Sequence, residues 1–278
     1  MFGSELRDID FERISRLVHN HCGINLHDGK KELVKARLNK RLREGDFKSF
    51  GDYYRYVITA EGTDELVTMI DSLSTNVTFF FREESHFVKL RQILPAMLKT
   101  PAKGGRPGRL RIWSAGYSTG EEPYSLAMTT RECAMDKPVD IAITATDIST
   151  RVLHAAARGV YQQDKLKNVS QGVLKKYFQS GCGRWEGHCR IKKEIREMVR
   201  FLRFNLMETP PSDFIFDIIF CRNVMIYFDK TTQAALVNRF HNCLDKGGYF
   251  FVGHSESLTG LDHNFKYIEP SIYHKITA

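Results

Sequence analysis

A chain of 278 residues with 42 % hydrophobic and 27 % charged residues has an ordinary globular composition. It shows no apolar run of the roughly 18 residues that a membrane span needs, and its opening stretch, MFGSELRDIDFERIS, lacks the apolar core of a secretion signal. The net charge of +8 suits an acidic partner without choosing among nucleic acid, a membrane surface or an acidic protein.

Residues 1–75 read as a run of helices. DFERISRLVHNH sets Phe11, Ile14, Leu17 and Val18 on one face, and KKELVKARLNKRLRE sets Val34, Leu38 and Leu42 at i, i+4 and i+8 before Gly45. SFGDYYRYVIT and DELVTMIDSLS supply two shorter helices. The stretch 30–43 carries seven basic residues against one acid, Glu32.

From about residue 109 strands and helices alternate. RLRIWSA, VDIAITATD, VRFLRFNL, FDIIFCRNV and GYFFVGHS read as five strands. PYSLAMTTRECA, STRVLHAAARG and TTQAALVNRFHNCL read as helices between them, the last closed by Gly247-Gly248, and KYIEP with IYHKIT forms a terminal strand pair. The alternation predicts an α/β fold with a mostly parallel, doubly wound sheet whose ligands sit at the C-terminal strand ends. A Pro/Gly-rich loop, 99–109, and a glycine-bearing insert at about 168–202 interrupt the pattern. Six scattered cysteines read as reduced cytosolic thiols, and Cys182, His188 and Cys189 lack the spacing of a metal site.

The loop after the first strand contains Gly116-Tyr117-Ser118-Thr119-Gly120, a literal G-x-S-x-G. A hydrolase reading draws on Ser118, Asp217 or Asp229, and His254 in that chain order. Three features oppose it: the helix starts too late, the loop is too long, and Asp147 at the next strand end has no part in a triad. A cofactor reading uses more of the sequence. An acid ending the second strand, Asp147, suits the two hydroxyls of an adenosine ribose. The loop lacks G-x-G-x-x-G and carries Glu121 and Glu122, which repel phosphate and favour a cation. S-adenosylmethionine has no phosphate and bears a sulfonium and an ammonium.

The stretches SLSTNVTFFFRE (72–83), WSAGYSTGEEPYSLAM (113–128), ATDIS (145–149), FNL (204–206) and IIFCRNVMIYFDK (218–230) resemble the chemotaxis receptor methyltransferases, the CheR family, over nearly the full chain. The resemblance implies a class I methyltransferase sheet in 76–278 with a small antiparallel β-insert, preceded by a receptor-facing helical domain, 1–75. It implies transfer of a methyl group from S-adenosylmethionine, leaving S-adenosylhomocysteine, to the γ-carboxylate of receptor glutamates. The enzyme would be a cytoplasmic monomer that uses no metal, binds no nucleic acid and does not insert directly into a membrane. By position, Asn76, Thr78 and Arg82 would line the cofactor together with Gly116. Glu122 would meet its methionine end, Asp147 its ribose, and Asn205 and Leu206 its adenine. Cys221 and Arg222 would close the fourth strand end, and Tyr227 would face the methyl group. Tyr117 departs from the pattern, since small residues are expected there and a tyrosine crowds the loop.

Arg82 is the expected holder of the acceptor carboxylate; the plainer reading is an ion pair with Glu83 or Glu84. Phe79-Phe80-Phe81 reads as packing between the two domains. Lys35, Lys40 and Arg43 on the basic helix are expected to face the receptor's acidic methylation helices. In the insert, Gly181, Gly183, Arg184 and Gly187 resemble the loop with which some family members bind a C-terminal receptor pentapeptide, with HCRIKKEI and MVRFLRF as neighbouring strands and one edge open. A plain β-turn is the equal alternative.

Overall fold

The computed structural model describes residues 5–74, 77–98, 109–134 and 139–276. Four helices come first: α1 (Asp8–Cys22), α2 (Lys31–Glu44), α3 (Phe50–Val57) and α4 (Thr63–Leu73). Their apolar stripes meet in one buried cluster that includes Ile14, Val18, Val34, Leu38, Tyr53 and Ile70. Ser49 caps α3 by accepting from the amide of Asp52. Gly23 ends α1 in the left-handed region, with φ 74. A Cβ there would lie 2.6 Å from Met207 Sδ and 3.3 Å from the Phe228 ring, so the end of α1 sits directly against the second half of the chain.

Helix α5 (Glu84–Met97) is unannounced by the sequence reading. Its start carries no capping signal, because Glu83 has φ 58 and makes no cap bond, and Pro95 occupies its last turn. Its buried residues His86, Phe87, Leu90 and Leu94 belong under the sheet. The aromatic run before it divides. Phe80 is buried edge-on against Tyr161 and Phe178, Phe81 packs on Phe87, and Phe79 stays exposed. Packing by this run is therefore within the second half of the chain and not between helical and sheet units.

The sheet strands are β1 (Arg109–Ala115), β2 (Asp140–Asp147), β6 (Val199–Arg203), β7 (Phe216–Cys221), β8 (Leu244–Val252), β9 (Lys266–Glu269) and β10 (Ile272–His274), with β3 (Val160–Gln162), β4 (Phe178–Ser180) and β5 (His188–Ile191) apart. The large sheet has the order β6-β2-β1-β7-β8-β10-β9. Its first five strands run parallel and the last two pair antiparallel, as the alternation predicts. Helices α6 (Glu121–Ala134), α7 (Thr150–Arg158) and α10 (Lys230–Cys243) connect the parallel strands, while α8 (Gln171–Tyr177) and α9 (Lys193–Arg196) belong to the insert. Chain order reverses between β1 and β7, which opens a crevice at their C-terminal ends.

Two boundaries differ from expectation. Helix α10 is not closed by glycines: it passes straight into β8 at Leu244, and Gly247 and Gly248 lie inside that strand, paired with the backbone of Lys275. The small sheet is β3-β5-β4, so its first strand comes from 160–162, ahead of the expected insert. HCRI is its central strand, paired on both sides, and MVRFLRF joins the large sheet through β6.

The two sheet faces bury separate clusters, one around Phe220 and Phe251 and one around Trp113, Phe240 and Phe250. Phe220 and Phe251 stack at 4.3 Å with 6° between planes, joining β7 to β8 beneath the crevice. Phe251→Ala should lower the unfolding free energy by about 3–5 kcal/mol, read from urea denaturation. A loss within experimental error would show that this stack does not hold the sheet centre.

Candidate functional site

A cavity lies at the C-terminal ends of β1, β2, β6 and β7. Thr78, Arg82, Gly116, Glu122, Asp147, Asn205, Leu206, Arg222 and Tyr227 line it, as do Cys22 and Ile24 from the end of α1. The loop after β1 is shaped by backbone needs. Gly116 has φ 82, and a Cβ on it would lie 2.4 Å from Val224. Tyr117 does not crowd this loop, because its ring turns into the core and packs edge-on against Phe201. Ser118, with φ 54, directs its amide to Asp147 Oδ2 at 2.8 Å.

Asp147 ends β2 and is half-buried. Its second oxygen accepts from the Ser149 amide at 3.0 Å. Burial, with the Asp71 carboxylate adding to it, pushes its pKa up to about 6 against the two amide bonds. A carboxylate has about four acceptor positions, so it keeps capacity for two hydroxyl donors. The cavity thus offers an acid for a ribose and a left-handed glycine for close backbone approach, a fit to an adenosyl group.

Glu122 begins α6 and is buried. Ser114 Oγ donates to one oxygen and Arg222 Nε to the other, each at 2.7 Å. Arg222 is itself buried, between the rings of Phe87 and Phe220. Its Nη1 donates to the Arg82 carbonyl at 2.6 Å and to His86 Nδ1 at 3.1 Å, and lies 3.4 Å from Glu83. Burial and the neighbouring guanidinium hold His86 neutral, with a pKa lowered to about 3. Arg222 therefore lines the cavity with its Nε and Nη1 donors committed to protein acceptors: it orients Glu122 and anchors the segment that carries Arg82. Glu83, His86 and His254 cluster closely enough to suggest metal ligands, but the Arg222 guanidinium already supplies their positive charge.

The loop 223–227 hangs on Glu256, which accepts from the amides of Gly253, Asn223, Val224 and Ile226 at 2.6–3.2 Å. Nothing in the sequence marks this acid, since its role is to gather amides of a distant loop. The helical unit holds the same wall. The Asn25 amide donates to the Tyr227 carbonyl at 2.7 Å, His19 meets Asp229 at 2.8 Å, and Asn205 Nδ2 donates to the His21 carbonyl at 2.5 Å.

Other expected residues fall differently. Cys221 is fully buried in the Trp113 cluster and does not line the cavity; burial raises its thiol pKa strongly. Asn76 lies outside the described residues, as does most of the 99–109 loop. Arg82 makes no ion pair with Glu83 or Glu84 among the described residues; its Nη1 donates to the Val77 carbonyl at 2.8 Å and its guanidinium lies over Phe79. No triad assembles around Ser118: His254 meets Ser85 at 2.9 Å, Asp217 bonds Arg111, and Asp229 bonds His19. Lys35, Lys40 and Arg43 sit on α2 away from the cavity; Lys35 lies 3.9 Å from Glu32 and Lys40 3.7 Å from Glu44. Gly183 and Gly187 have positive φ, with Arg184 over Trp185 between them, and Gly181 packs closely on the Trp185 carbonyl.

Residues 76–274 match the family description "CheR methyltransferase, SAM binding domain", and residues 9–74 match "CheR methyltransferase, all-alpha domain". The chain is 40 % identical over 271 residues to the chemotaxis protein methyltransferase of Escherichia coli K12, covering 96 % of this chain and 91 % of that one. It is 38 % identical over 269 residues to the protein of the same name from Borreliella burgdorferi, covering 96 % and 94 %. It is 38 % identical over 265 residues to chemotaxis protein methyltransferase 2 of Pseudomonas aeruginosa, covering 95 % and 92 %.

Ribose hydroxyls donating to Asp147 would favour its ionised form, so affinity for S-adenosylmethionine is then expected to fall as pH drops through about 6. Calorimetry should show Kd rising about tenfold between about pH 7.5 and about pH 5. Asp147→Asn should bind more weakly and lose this dependence; an unchanged profile in that variant would assign the titration elsewhere.

Proposed function

The chain belongs to the CheR family of S-adenosylmethionine-dependent chemotaxis methyltransferases, and from that premise we propose that its methyl acceptor is the γ-carboxylate of glutamates on chemoreceptor cytoplasmic helices. The observation that carries this reading is the absence of a general base. Among the described residues, no lysine or histidine lines the cavity. Of its two carboxylates, Glu122 is paired with Arg222, and Asp147 holds two backbone amides. Such a site suits a nucleophile that arrives ionised. A glutamate side chain, with an ordinary pKa of about 4.3, meets that condition at neutral pH.

When bound, S-adenosylmethionine supplies the methyl group on a sulfonium and leaves as S-adenosylhomocysteine. The protein's part is positioning, which can contribute on the order of 7–11 kcal/mol. Arg82, which has no carboxylate partner among the described residues, holds one oxygen of the acceptor and leaves the other free for attack. Tyr227, held through its own carbonyl by Asn25, closes the methyl side. Thr78 and Gly116 shape the cofactor's bed, Glu122 faces its ammonium end, and Asn205 and Leu206 border its adenine. Asn205 does so as a wall, since its amide is committed to His21 and Met207.

The basic α2 face, with Lys35, Lys40 and Arg43, receives the receptor's acidic helix; the exposed pairs to Glu32 and Glu44 are weak enough to be exchanged. A receptor C-terminal peptide would add to β4, which pairs on one side only, beside Gln179, Arg184 and Trp185. An adenine- or cytosine-directed nucleic-acid activity is disfavoured by Asn223-Val224-Met225-Ile226-Tyr227, which has no prolines in place of the usual Pro-Pro-aromatic motif.

With methyl-labelled cofactor and receptor cytoplasmic domains, the transferred label should be released as methanol in mild alkali. Alkali-stable label would mean N-methylation and would end this reading. Arg82→Ala should lower kcat/KM by roughly 10²–10³-fold with the urea midpoint preserved. Near-normal turnover would remove Arg82 from the mechanism.

A further inference from the structure

Helix α7 leaves the site directly: it begins three residues after Asp147 and ends at Gly159, beside the small sheet. Arg151, His154 and Arg158 fall at i, i+3 and i+7, on one exposed face. Arg190 joins their lower end, because β3 sets Val160 opposite it in the small sheet. These side chains border one shallow concavity with Ala157, and no acid lines it. None of the four makes an ion pair among the described residues. Asp71 accepts from the Arg151 amide, not from its guanidinium, and is buried.

The contrast with α2 is informative. There Lys31 pairs with Asp8, Lys35 with Glu32, Lys40 with Glu44 and Arg41 with Glu65. Four of the six basic residues of that helix thus sit beside an acid. The α7 row keeps its charge.

We propose that the α7 face, Arg151, His154 and Arg158 with Arg190, is a second docking surface for an acidic segment of the polypeptide substrate. This rests on the acceptor being an acidic receptor helix. Arginine matches carboxylate geometry, and seven residues of helix set Arg151 and Arg158 about 10 Å apart. A partner helix with glutamates at the same interval presents them at that spacing. Arg158 and Arg190 also border the groove beside β4, so the row is continuous with that groove. A segment lying on α7 would span from the groove to the rim of the active site and fix the direction in which the substrate enters.

The test is fluorescence anisotropy with a labelled helical peptide carrying glutamates at seven-residue spacing, and its all-glutamine counterpart. Wild type should bind the glutamate peptide with an affinity that falls as salt rises. Combined Arg151→Gln, Arg158→Gln and Arg190→Gln should weaken binding on the order of tenfold and leave S-adenosylhomocysteine affinity unchanged. Equal binding by the triple variant, equal binding of the glutamine peptide, or tighter binding of a DNA duplex of the same charge would overturn the proposal. So would a loss seen only when Lys35, Lys40 and Arg43 are reversed. Turnover on receptor fragments is scored separately: peptide binding without alkali-labile methylation would count against the carboxylate reaction and not against this surface.

Discussion

The buried pair of Glu122 and Arg222 is the constraint from which the site is organised. It joins the first turn of α6 to the end of β7 across the switch point of the sheet. Neither charge can be left alone there, since an unpaired buried ion costs several kcal/mol. The pair is therefore extended into a network: Ser114 completes Glu122, while the Arg82 carbonyl, His86 and Glu83 gather around Nη1 of Arg222. Because one of those acceptors belongs to Arg82, the same guanidinium that fixes the acid under the cofactor fixes the backbone of the residue proposed to hold the acceptor. In this proposal cofactor and acceptor geometry are both set by one buried charge.

The helical unit is part of this arrangement and not an appendage. Its first helix ends on a left-handed glycine packed so closely on Met207 and Phe228 that a Cβ there would force Met207 to shift. On either side of that glycine His21 accepts from Asn205 and Asn25 donates to Tyr227, and Cys22 and Ile24 close one side of the cavity. A partner that docks on the helices thus rests on the same body that holds the reaction's wall. Charge divides recognition in a similar way, with a basic helix partly paired with acids on one unit and, on the other, an arginine row that makes no ion pair among the described residues.

The parallel strands, their connecting helices and the acid at the end of β2 were legible because each follows from local periodicity or from a residue type at a strand end. So were Gly116 and Glu122, through the loop motif. What escaped depended on distance in space. Helix α5 has an uncapped start at Glu83 and a proline in its last turn, so its period is masked at both ends. Glu256 serves amides some thirty residues earlier. Arg222 reads as a ligand contact in a motif, yet its Nε and Nη1 donors go to the protein. Cys221 shares that motif and points to the opposite sheet face, because successive strand residues alternate sides. In the insert, glycine spacing signalled a turn but could not tell which strand lay at the edge.

A double-mutant cycle on the buried pair tests this most directly. Unfolding free energies of Glu122→Gln, Arg222→Met and the double variant, measured by urea denaturation, give the coupling between the two side chains. If the pair organises the site, each single variant should lose about 3–5 kcal/mol and the double variant should lose clearly less than their sum. Additive losses, or singles that are nearly neutral, would contradict the account.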